Sequence, residues 1–189
     1  MSHIAGVTTK VKDPVTLAQA AAALGLKIKP DGQCRWYGGT KKMDLVFGLP
    51  GRFDVGFVRS KDGTFSLEAD FWGGDVERAI GRQGGRLLQA YAVLKARQQG
   101  LAMGFAAGER RVGEEIHVVL RRGDGALVTV VCLPDGSVQV HVAGMPGKKC
   151  LQMKALEEAL GDVSSFEATA ELRWEDGGVM VKDGSRLCG

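Results

Sequence analysis

"RFDVGFVRSKDGTFSLEADFW", residues 52–72, contains two stretches of alternating apolar and polar residues on either side of Lys61-Asp62-Gly63. Asp-Gly between two such stretches is the strongest short-range signal for a β-hairpin. Successive side chains of a strand point to opposite faces, so each strand gathers its apolar residues on one face. These apolar residues are Phe53, Val55 and Phe57 before the turn, and Phe65, Leu67, Ala69 and Phe71 after it. The pattern predicts an antiparallel sheet with an apolar face.

Helices are predicted on both sides of this hairpin. Asp13 is a favourable N-cap with Pro14 in the first helical position, and Gly25 is expected to end that helix. Residues 75–97 have the apolar periodicity of a second helix, with Asp75 as the expected cap. Gly84-Gly85 interrupts the pattern, which predicts a kink or two consecutive helices. Further strands are predicted at residues 3–11, 33–39, 42–49, 102–112 and 114–122.

A second hairpin-plus-helix unit is predicted after residues 123–126, "GDGA", which are interpreted as a linker. The hairpin covers residues 127–143 with a turn at Pro134-Asp135-Gly136, and an amphipathic helix follows over 147–161. The tail contains one strand-like run, residues 166–174, and is then expected to be flexible. We therefore predict an α+β protein with antiparallel sheets and helices on one face. The predicted domains are residues 1–122 and 127–189.

The composition and the short motifs of the sequence argue against several classes of function. The net charge is +3, which is too small to indicate a dedicated nucleic-acid-binding domain. No run has the length of a transmembrane span, the N-terminal residues lack a signal-peptide core, and the four cysteines form no C-x-x-C pair. No glycine-rich stretch matches a nucleotide-binding motif. We expect a cytoplasmic protein with reduced thiols and no cofactor.

Two parts of the chain resemble known families. Residues 1–122 resemble an uncharacterised family of small proteins encoded in plastid, cyanobacterial and many bacterial and phage genomes. That family has an N-terminal MSH strand, a helix, and G-x-K-x-D-x-V, D-I-G-F and A-D-W-W-G strand motifs. Phe71 occupies one of its two tryptophan positions. The matching positions are Met1–His3, Lys42, Asp44, Asp54, Gly56, Phe57, Ala69, Asp70, Trp72 and Gly73.

Residues 127–174 resemble a second small domain family of unknown function. The resemblance is carried by "LPDGSVQV", "GKKCLQMKALEEALG" and "ELRW". The two families are encoded near each other in gene clusters that also encode an AAA-type ATPase. The resemblance therefore implies a fusion of the two families, from a bacterium or a phage, that acts as an accessory or adaptor protein of such an ATPase.

Cys150 and Cys132 are the cysteines with a possible chemical role. Cys150 lies at a predicted helix start beside two lysines, which favours a reactive thiolate, but it also shares a helix face with Met153 and Leu156 and so fits a buried apolar residue. Strand alternation places Cys132 towards the core and His141 on the opposite face. Ligands on opposite faces of a sheet cannot bind one ion, so we predict no metal site there.

Three aspartates lie in or beside predicted strands, namely Asp44, Asp54 and Asp70. They are interpreted as structural carboxylates in ion pairs with Lys42, Arg52 or Arg59. The alternative is a carboxylate cluster that binds a cation or transfers protons. Asp54 is opposite in phase to Phe53 and Val55, which predicts an exposed side chain.

Aromatic and basic residues alternate with one another around the first hairpin. The candidate binding residues are Trp36, Tyr37, Arg52, Arg59 and Trp72. Exposed aromatic side chains in residues 34–39 and at Trp72 fit a protein partner. Residues 35–59 also fit stacking on a nucleic acid. The expected function is thus a non-catalytic adaptor, with a nucleic-acid-binding module or an enzyme dependent on Cys150 as alternatives.

Overall fold

The computed structural model describes residues 3–143 and 156–168. Every pairing between named strands is antiparallel, and helices accompany the sheets, so the predicted α+β class is confirmed. The strands are β1 (His3–Thr9), β2 (Lys27–Ile28), β3 (Gln33–Trp36), β4 (Gly39–Lys42), β5 (Leu45–Gly48), β6 (Val55–Arg59), β7 (Phe65–Ala69), β8 (Ala106–Val112), β9 (Glu115–Arg121), β10 (Leu127–Cys132), β11 (Val138–Ala143) and β12 (Gly161–Ala168). The helices are α1 (Pro14–Ala23), α2 (Asp75–Ile80) and α3 (Gly85–Ala102).

The chain divides into two compact units. One comprises residues 10–94 and 134–136, and we name it the hairpin unit. The other comprises residues 1–9, 95–133 and 137–189, and we name it the six-stranded unit. The domain bounds at residues 122 and 127 stay a prediction. Residues 123–126, interpreted above as a linker, form the turn between β9 and β10, which pair in one sheet.

The hairpin unit has a four-stranded sheet in the order β2-β5-β6-β7. One face of this sheet packs on the three helices through buried residues that include Phe47, Val55, Phe57, Leu17, Ile80 and Tyr91. The β6–β7 turn lies at the predicted Lys61-Asp62-Gly63, where Gly63 has a φ of +84° that favours glycine. The alternation that predicted the hairpin is therefore confirmed.

The helices of the hairpin unit begin and end as local signals dictate, with one difference. Asp13 caps α1 and accepts hydrogen bonds from the N–H groups of Val15 and Thr16. The predicted break at Gly84-Gly85 is confirmed, because a 3-10 turn separates α2 from α3. The prediction that Asp75 caps α2 is wrong: Gly74 is the N-cap and Asp75 is the first helical residue. Asp75 instead pairs with Arg78 one turn later.

The six-stranded unit contains one sheet in the order β12-β1-β11-β10-β9-β8. Alternate residues along β9, β10 and β11 are buried and form its apolar face, among them Val118, Val130 and Val140. The C-terminal turn of α3 approaches β9 so closely that a Cβ on Gly100 would overlap with the side chain of Leu120. Residues 156–160 are helical, and Leu156 and Leu160 are fully buried.

The C-terminal strand begins earlier in the chain than the sequence predicts. A strand was predicted at residues 166–174, whereas β12 begins at Gly161 and is described to Ala168. β12 pairs with β1, a partner that is distant in sequence. The N-terminal part of the predicted helix over 147–161 lies outside the described residues. Among the described helices, none is both long enough and apolar enough to cross a membrane.

Candidate binding surface

The second face of the four-stranded sheet is covered by the hairpin that β3 and β4 form. Cys34 and Met43 pack there against Val46 of β5 in a small buried cluster, with Trp36 and Val58 at its edge. Gly56 of β6 permits this close approach. A Cβ at that position would overlap with Sδ of Met43 and lie 3.3 Å from Sγ of Cys34. The central strands β5 and β6 are therefore covered on both faces, with helices on one side and the β3–β4 hairpin on the other.

Asp54 lies beneath this hairpin and is fully buried. Its carboxylate accepts hydrogen bonds from Nη2 of Arg35 at 2.6 Å, from Nζ of Lys29 at 3.0 Å and from the backbone N–H of Leu49 at 3.2 Å. Arg35 also donates its backbone N–H to Asp54 at 3.0 Å. The prediction of an exposed Asp54 is wrong, because the face opposite the apolar core is covered by β3. The predicted ion-pair partners are corrected to Arg35 and Lys29.

These hydrogen bonds determine the ionisation of Asp54. Burial by itself would raise the pKa of the carboxyl, but the hydrogen bonds from Arg35, Lys29 and Leu49 hold it well below its ordinary value. Asp54 therefore stays ionised at neutral pH, with both oxygens bonded to internal donors. It is not placed to exchange protons with a bound molecule.

Three aromatic side chains converge at the edge of the β3–β4 hairpin. Trp36, Tyr37 and Trp72 line a pocket of about 560 Å³ together with Ala69, Asp70 and Phe71. Tyr37 is 72% exposed and Trp72 is 63% exposed. Their rings lie edge to face, with 6.1 Å between centroids. We name these three side chains, with Asp70, the aromatic pocket.

Asp70 joins the two loops that supply the exposed rings. One carboxylate oxygen accepts the backbone N–H of Tyr37 at 3.2 Å, and the other accepts the backbone N–H of Trp72 at 2.9 Å. Asp70 thus positions Tyr37 and Trp72 relative to each other, although they are 35 residues apart in the chain. The predicted ion pair of Asp70 with Lys42, Arg52 or Arg59 is replaced by these two hydrogen bonds.

A lysine and a glutamate complete the surroundings of Trp36. Nζ of Lys41 lies over the Trp36 ring, 5.6 Å from its centroid, and forms an ion pair with Glu68 of β7. This arrangement is a cation–π contact in which the cation is also held by a carboxylate. The charge of Lys41 is therefore balanced inside the unit.

The other predicted residues lie elsewhere. Arg59 pairs with Phe65 at the end of β6 and β7 that is opposite to the Val55–Ala69 pair, so about 13 Å of strand separates it from the pocket end. Its guanidinium lies over the Phe65 ring, and its backbone N–H donates to the exposed Asp44 at 2.8 Å. Arg52 is exposed and is not among the residues that line the pocket. The basic and aromatic residues at 35–59 therefore do not form one continuous surface.

The two cysteines of the described residues are buried. Burial raises the pKa of Cys34 to about 11 and the pKa of Cys132 to about 12, so both thiols are protonated at neutral pH. Cys150 lies outside the described residues, so its two interpretations remain open.

His141 and Cys132 lie on opposite faces of the sheet, as the alternation predicted. Cys132 pairs with Val138, whereas His141 pairs with Thr129 in the other phase. Burial, together with the nearby His117, lowers the pKa of His141. Cys132 and His141 therefore cannot bind one ion. Among the side chains that the structure describes, those of residues 10–143 and 156–161, no three His, Cys, Asp or Glu side chains are grouped to hold a metal ion.

Two contributors to the aromatic pocket were not recognised as such from the sequence. Asp70 was interpreted as an ion-pair residue, and Phe71 as a residue facing the core. Glu68 of β7 is out of phase with Leu67 and Ala69, and Asp70 and Trp72 continue the same alternating pattern in the sequence beyond the end of the strand. This alternation is the signal that the sequence offers. It does not reveal that the turn at residues 36–39 lies beside Asp70.

Comparison with known proteins adds a partial identification. No curated protein and no solved structure matches the sequence. Residues 128–173, which include most of β10 and all of β11 and β12, match a family described as proteins of unknown function, DUF2997. This match confirms that a domain of unknown function lies where the sequence resembles a second small domain family.

Proposed function

We propose that the protein is a non-catalytic adaptor that binds a partner protein through the aromatic pocket. The observation that carries this proposal is the exposure of Tyr37 and Trp72 side by side in one pocket. Large aromatic side chains are costly to leave in water, and tryptophan and tyrosine supply much of the binding energy of protein interfaces. Hydrogen bonds to Asp70 hold both residues in place before a partner binds.

A binding role fits the chemistry of the described residues better than a catalytic one. Asp54 has both oxygens engaged by internal donors, and Lys41 is paired with Glu68. The thiols of Cys34 and Cys132 are buried and protonated. An enzyme needs a nucleophile, acid or base that can reach its substrate, and in the aromatic pocket only Asp70 and the hydroxyl of Tyr37 are groups of this kind. Each oxygen of Asp70 already accepts a hydrogen bond from the protein.

An AAA-type ATPase is the proposed partner. This part of the proposal is supported by the resemblance of residues 1–122 to the uncharacterised plastid and cyanobacterial family, and by the domain of unknown function at residues 128–173. The resemblance implies that genes of these two families lie together with genes for such an ATPase. A single chain that joins both would present them to the ATPase as one assembly.

The test is affinity capture with matched variants. Tagged wild-type protein, the double variant Tyr37→Ala/Trp72→Ala, and the control Val15→Ala are used to capture proteins from a lysate of the host, with identification by mass spectrometry. Val15 is the control because it is also a large exposed side chain of the hairpin unit, 65% exposed on α1. The ATPase is then purified and its affinity for each variant is measured.

We expect wild type and Val15→Ala to retain an AAA-type ATPase, and the double variant to bind it at least about 30-fold more weakly, as befits two central aromatic residues. Capture of no such ATPase by the wild type would refute the proposed partner. Equal binding by wild type and the double variant would refute the proposed surface.

A further inference from the structure

We propose that the aromatic pocket binds an arginine side chain of the partner protein. The inference rests on the proposed function and names the chemistry that the pocket recognises. It starts from the charge of Asp70. This carboxylate lines the pocket, and its hydrogen bonds come from two neutral backbone N–H groups. Within the described residues, no lysine or arginine forms an ion pair with Asp70.

The arrangement around Trp36, beside Asp70, indicates which group would complete the aromatic pocket. There, an indole ring, a carboxylate and a cation meet: Lys41 lies over Trp36 and pairs with Glu68. Asp70 follows Glu68 by two residues and lies directly after the last residue of β7. It has the rings of Tyr37 and Trp72 beside it. This second arrangement has the rings and the carboxylate, and the cation is the component that a partner would supply.

The remaining acceptor capacity of Asp70 fits a guanidinium. A carboxylate has about four lone-pair sites, and each oxygen of Asp70 accepts one hydrogen bond from the protein. One site on each oxygen is therefore left for a bidentate pair with arginine. The planar guanidinium also stacks on aromatic rings and is more weakly hydrated than an ammonium group. These properties favour arginine over lysine.

The same charges disfavour a nucleic acid in this pocket. Asp70 lines the pocket, and within the described residues no lysine or arginine forms an ion pair with it, so a phosphate backbone would meet an unbalanced negative charge. The nearby cations are already bonded, Lys41 to Glu68 and Arg35 to Asp54. Bases could stack on the aromatic rings, but Lys41 and Arg35 would not neutralise the phosphates of the nucleic acid. Neutralisation of phosphates by lysine and arginine is what drives nucleic-acid binding.

The experiment is a titration monitored by the indole N–H signals of Trp36 and Trp72 in NMR spectra of the full chain. The probe is the blocked peptide acetyl-Gly-Arg-Gly-amide, and the matched control is the same peptide with citrulline, which has nearly the same shape without the charge. Asp70→Asn tests the carboxylate and Trp72→Leu tests the ring. Unchanged backbone signals elsewhere in the hairpin unit establish that each variant is folded.

We expect the arginine peptide to shift the Trp36 and Trp72 signals, and the citrulline peptide to need at least about tenfold higher concentration for the same shift. Asp70→Asn and Trp72→Leu should each reduce the response to the arginine peptide to that of citrulline. Equal responses to arginine and citrulline, or an unchanged response in Asp70→Asn, would overturn the proposal. A larger response to a thymidine decamer than to the arginine peptide would overturn it in favour of nucleic acid.

The failure of this inference is distinguishable from failure of the proposed function. If the ATPase binds wild type and is lost from Tyr37→Ala/Trp72→Ala, but the arginine peptide shifts no tryptophan signal, the adaptor role stands and arginine recognition is refuted. If the arginine peptide binds and no ATPase is captured, the pocket chemistry stands and the proposed partner is refuted.

Discussion

The carboxylate of Asp54 and the guanidinium of Arg35 are joined by a hydrogen bond of 2.6 Å beneath the β3–β4 hairpin. Asp54 directly precedes β6 of the four-stranded sheet, and Arg35 lies in β3, so this pair ties the hairpin to the sheet that it covers. Trp36 is the last residue of β3, and Tyr37 lies in the turn between β3 and β4. The position of the aromatic pocket therefore depends on a buried ionic contact that is not itself part of the pocket.

Replacing Asp54 with asparagine should destabilise the hairpin unit strongly. Removal of one partner of a buried ion pair typically costs about 3–5 kcal/mol, and we expect the lower end because Arg35 and Lys29 are partly exposed and regain some hydration. The free energy of unfolding from urea denaturation, followed by tryptophan fluorescence, is the measurement.

Asp44→Asn is the matched control for that substitution. Asp44 is exposed and accepts one backbone hydrogen bond, from Arg59, so its replacement should cost less than about 1 kcal/mol. Similar losses in Asp44→Asn and Asp54→Asn would contradict a special role for the buried pair.

The same carboxylate predicts how stability depends on pH. The folded pKa of Asp54 lies below that of the unfolded chain, so the unfolded state takes up the proton first as the pH falls. The stabilisation is fully present above the unfolded pKa and is lost as the pH falls through the folded pKa. We expect the free energy of unfolding to decline below about pH 5, where an ordinary aspartate begins to protonate.

Asp54→Asn should show a shallower decline over that range, measured by urea titrations at successive pH values. A wild-type curve that runs parallel to the variant curve would show that other carboxyls account for the acid sensitivity.

Gly56→Ala should destabilise the contact between the hairpin and the sheet. A Cβ there would overlap with Sδ of Met43, which is itself buried, and forcing an extra methyl into a packed core costs about 1–3 kcal/mol. The control is Gly123→Ala, since nothing lies within 4 Å of a Cβ at that position and its φ is not positive. Melting temperatures should fall for Gly56→Ala and stay near the wild-type value for Gly123→Ala.

A double variant makes the Gly56 prediction specific. Met43→Ala removes the side chain that the new methyl would meet, so its combination with Gly56→Ala should cost less than the sum of the two single changes. Additive losses would indicate that the strain arises elsewhere.

The two described thiols should resist alkylation in the native protein. With a pKa of about 11, about one Cys34 thiol in a thousand is ionised at pH 8, and the side chain is also inaccessible. Cys132 is buried in the same way, with a pKa of about 12. Iodoacetamide labelling followed by peptide mass spectrometry should modify both only after addition of denaturant.

Labelling of Cys34 at similar rates in native and denatured protein would contradict the burial described above. The same experiment tests the alternatives for Cys150: a reactive thiolate would be alkylated in the native protein faster than a denatured cysteine, and a core residue would be protected.

Local signals accounted for much of the fold. The Asp-Gly turns, the Asp13-Pro14 helix start and the strand alternation are properties of neighbouring residues, and each predicted its element. β4 was missed because all four of its residues are exposed, which leaves no alternation to detect. The apolar periodicity after Asp75 predicts a cap at that residue, although Gly74 occupies the cap position.

The aromatic pocket was predicted only in part, for a reason of topology. The sequence indicated that Trp36, Tyr37 and Trp72 are candidates for binding, but it also included Arg52 and Arg59, which the sheet register separates from them. Alternation gives the face of a strand on which Asp54 lies, and it does not reveal what covers that face. Arg35 and Asp54 meet only because a hairpin 19 residues earlier folds over the sheet.

The position of β1 has a consequence for biosynthesis. β1 lies between β11 and β12 and pairs with both, so this strand is synthesised about 130–165 residues before its partners. At about 5–20 residues per second, it waits roughly 10–30 seconds for them to be made. During that time its backbone donors and acceptors are open to other strands. The residues that match DUF2997 thus supply both neighbours of β1, and the six-stranded sheet can be completed only after β12 has been synthesised.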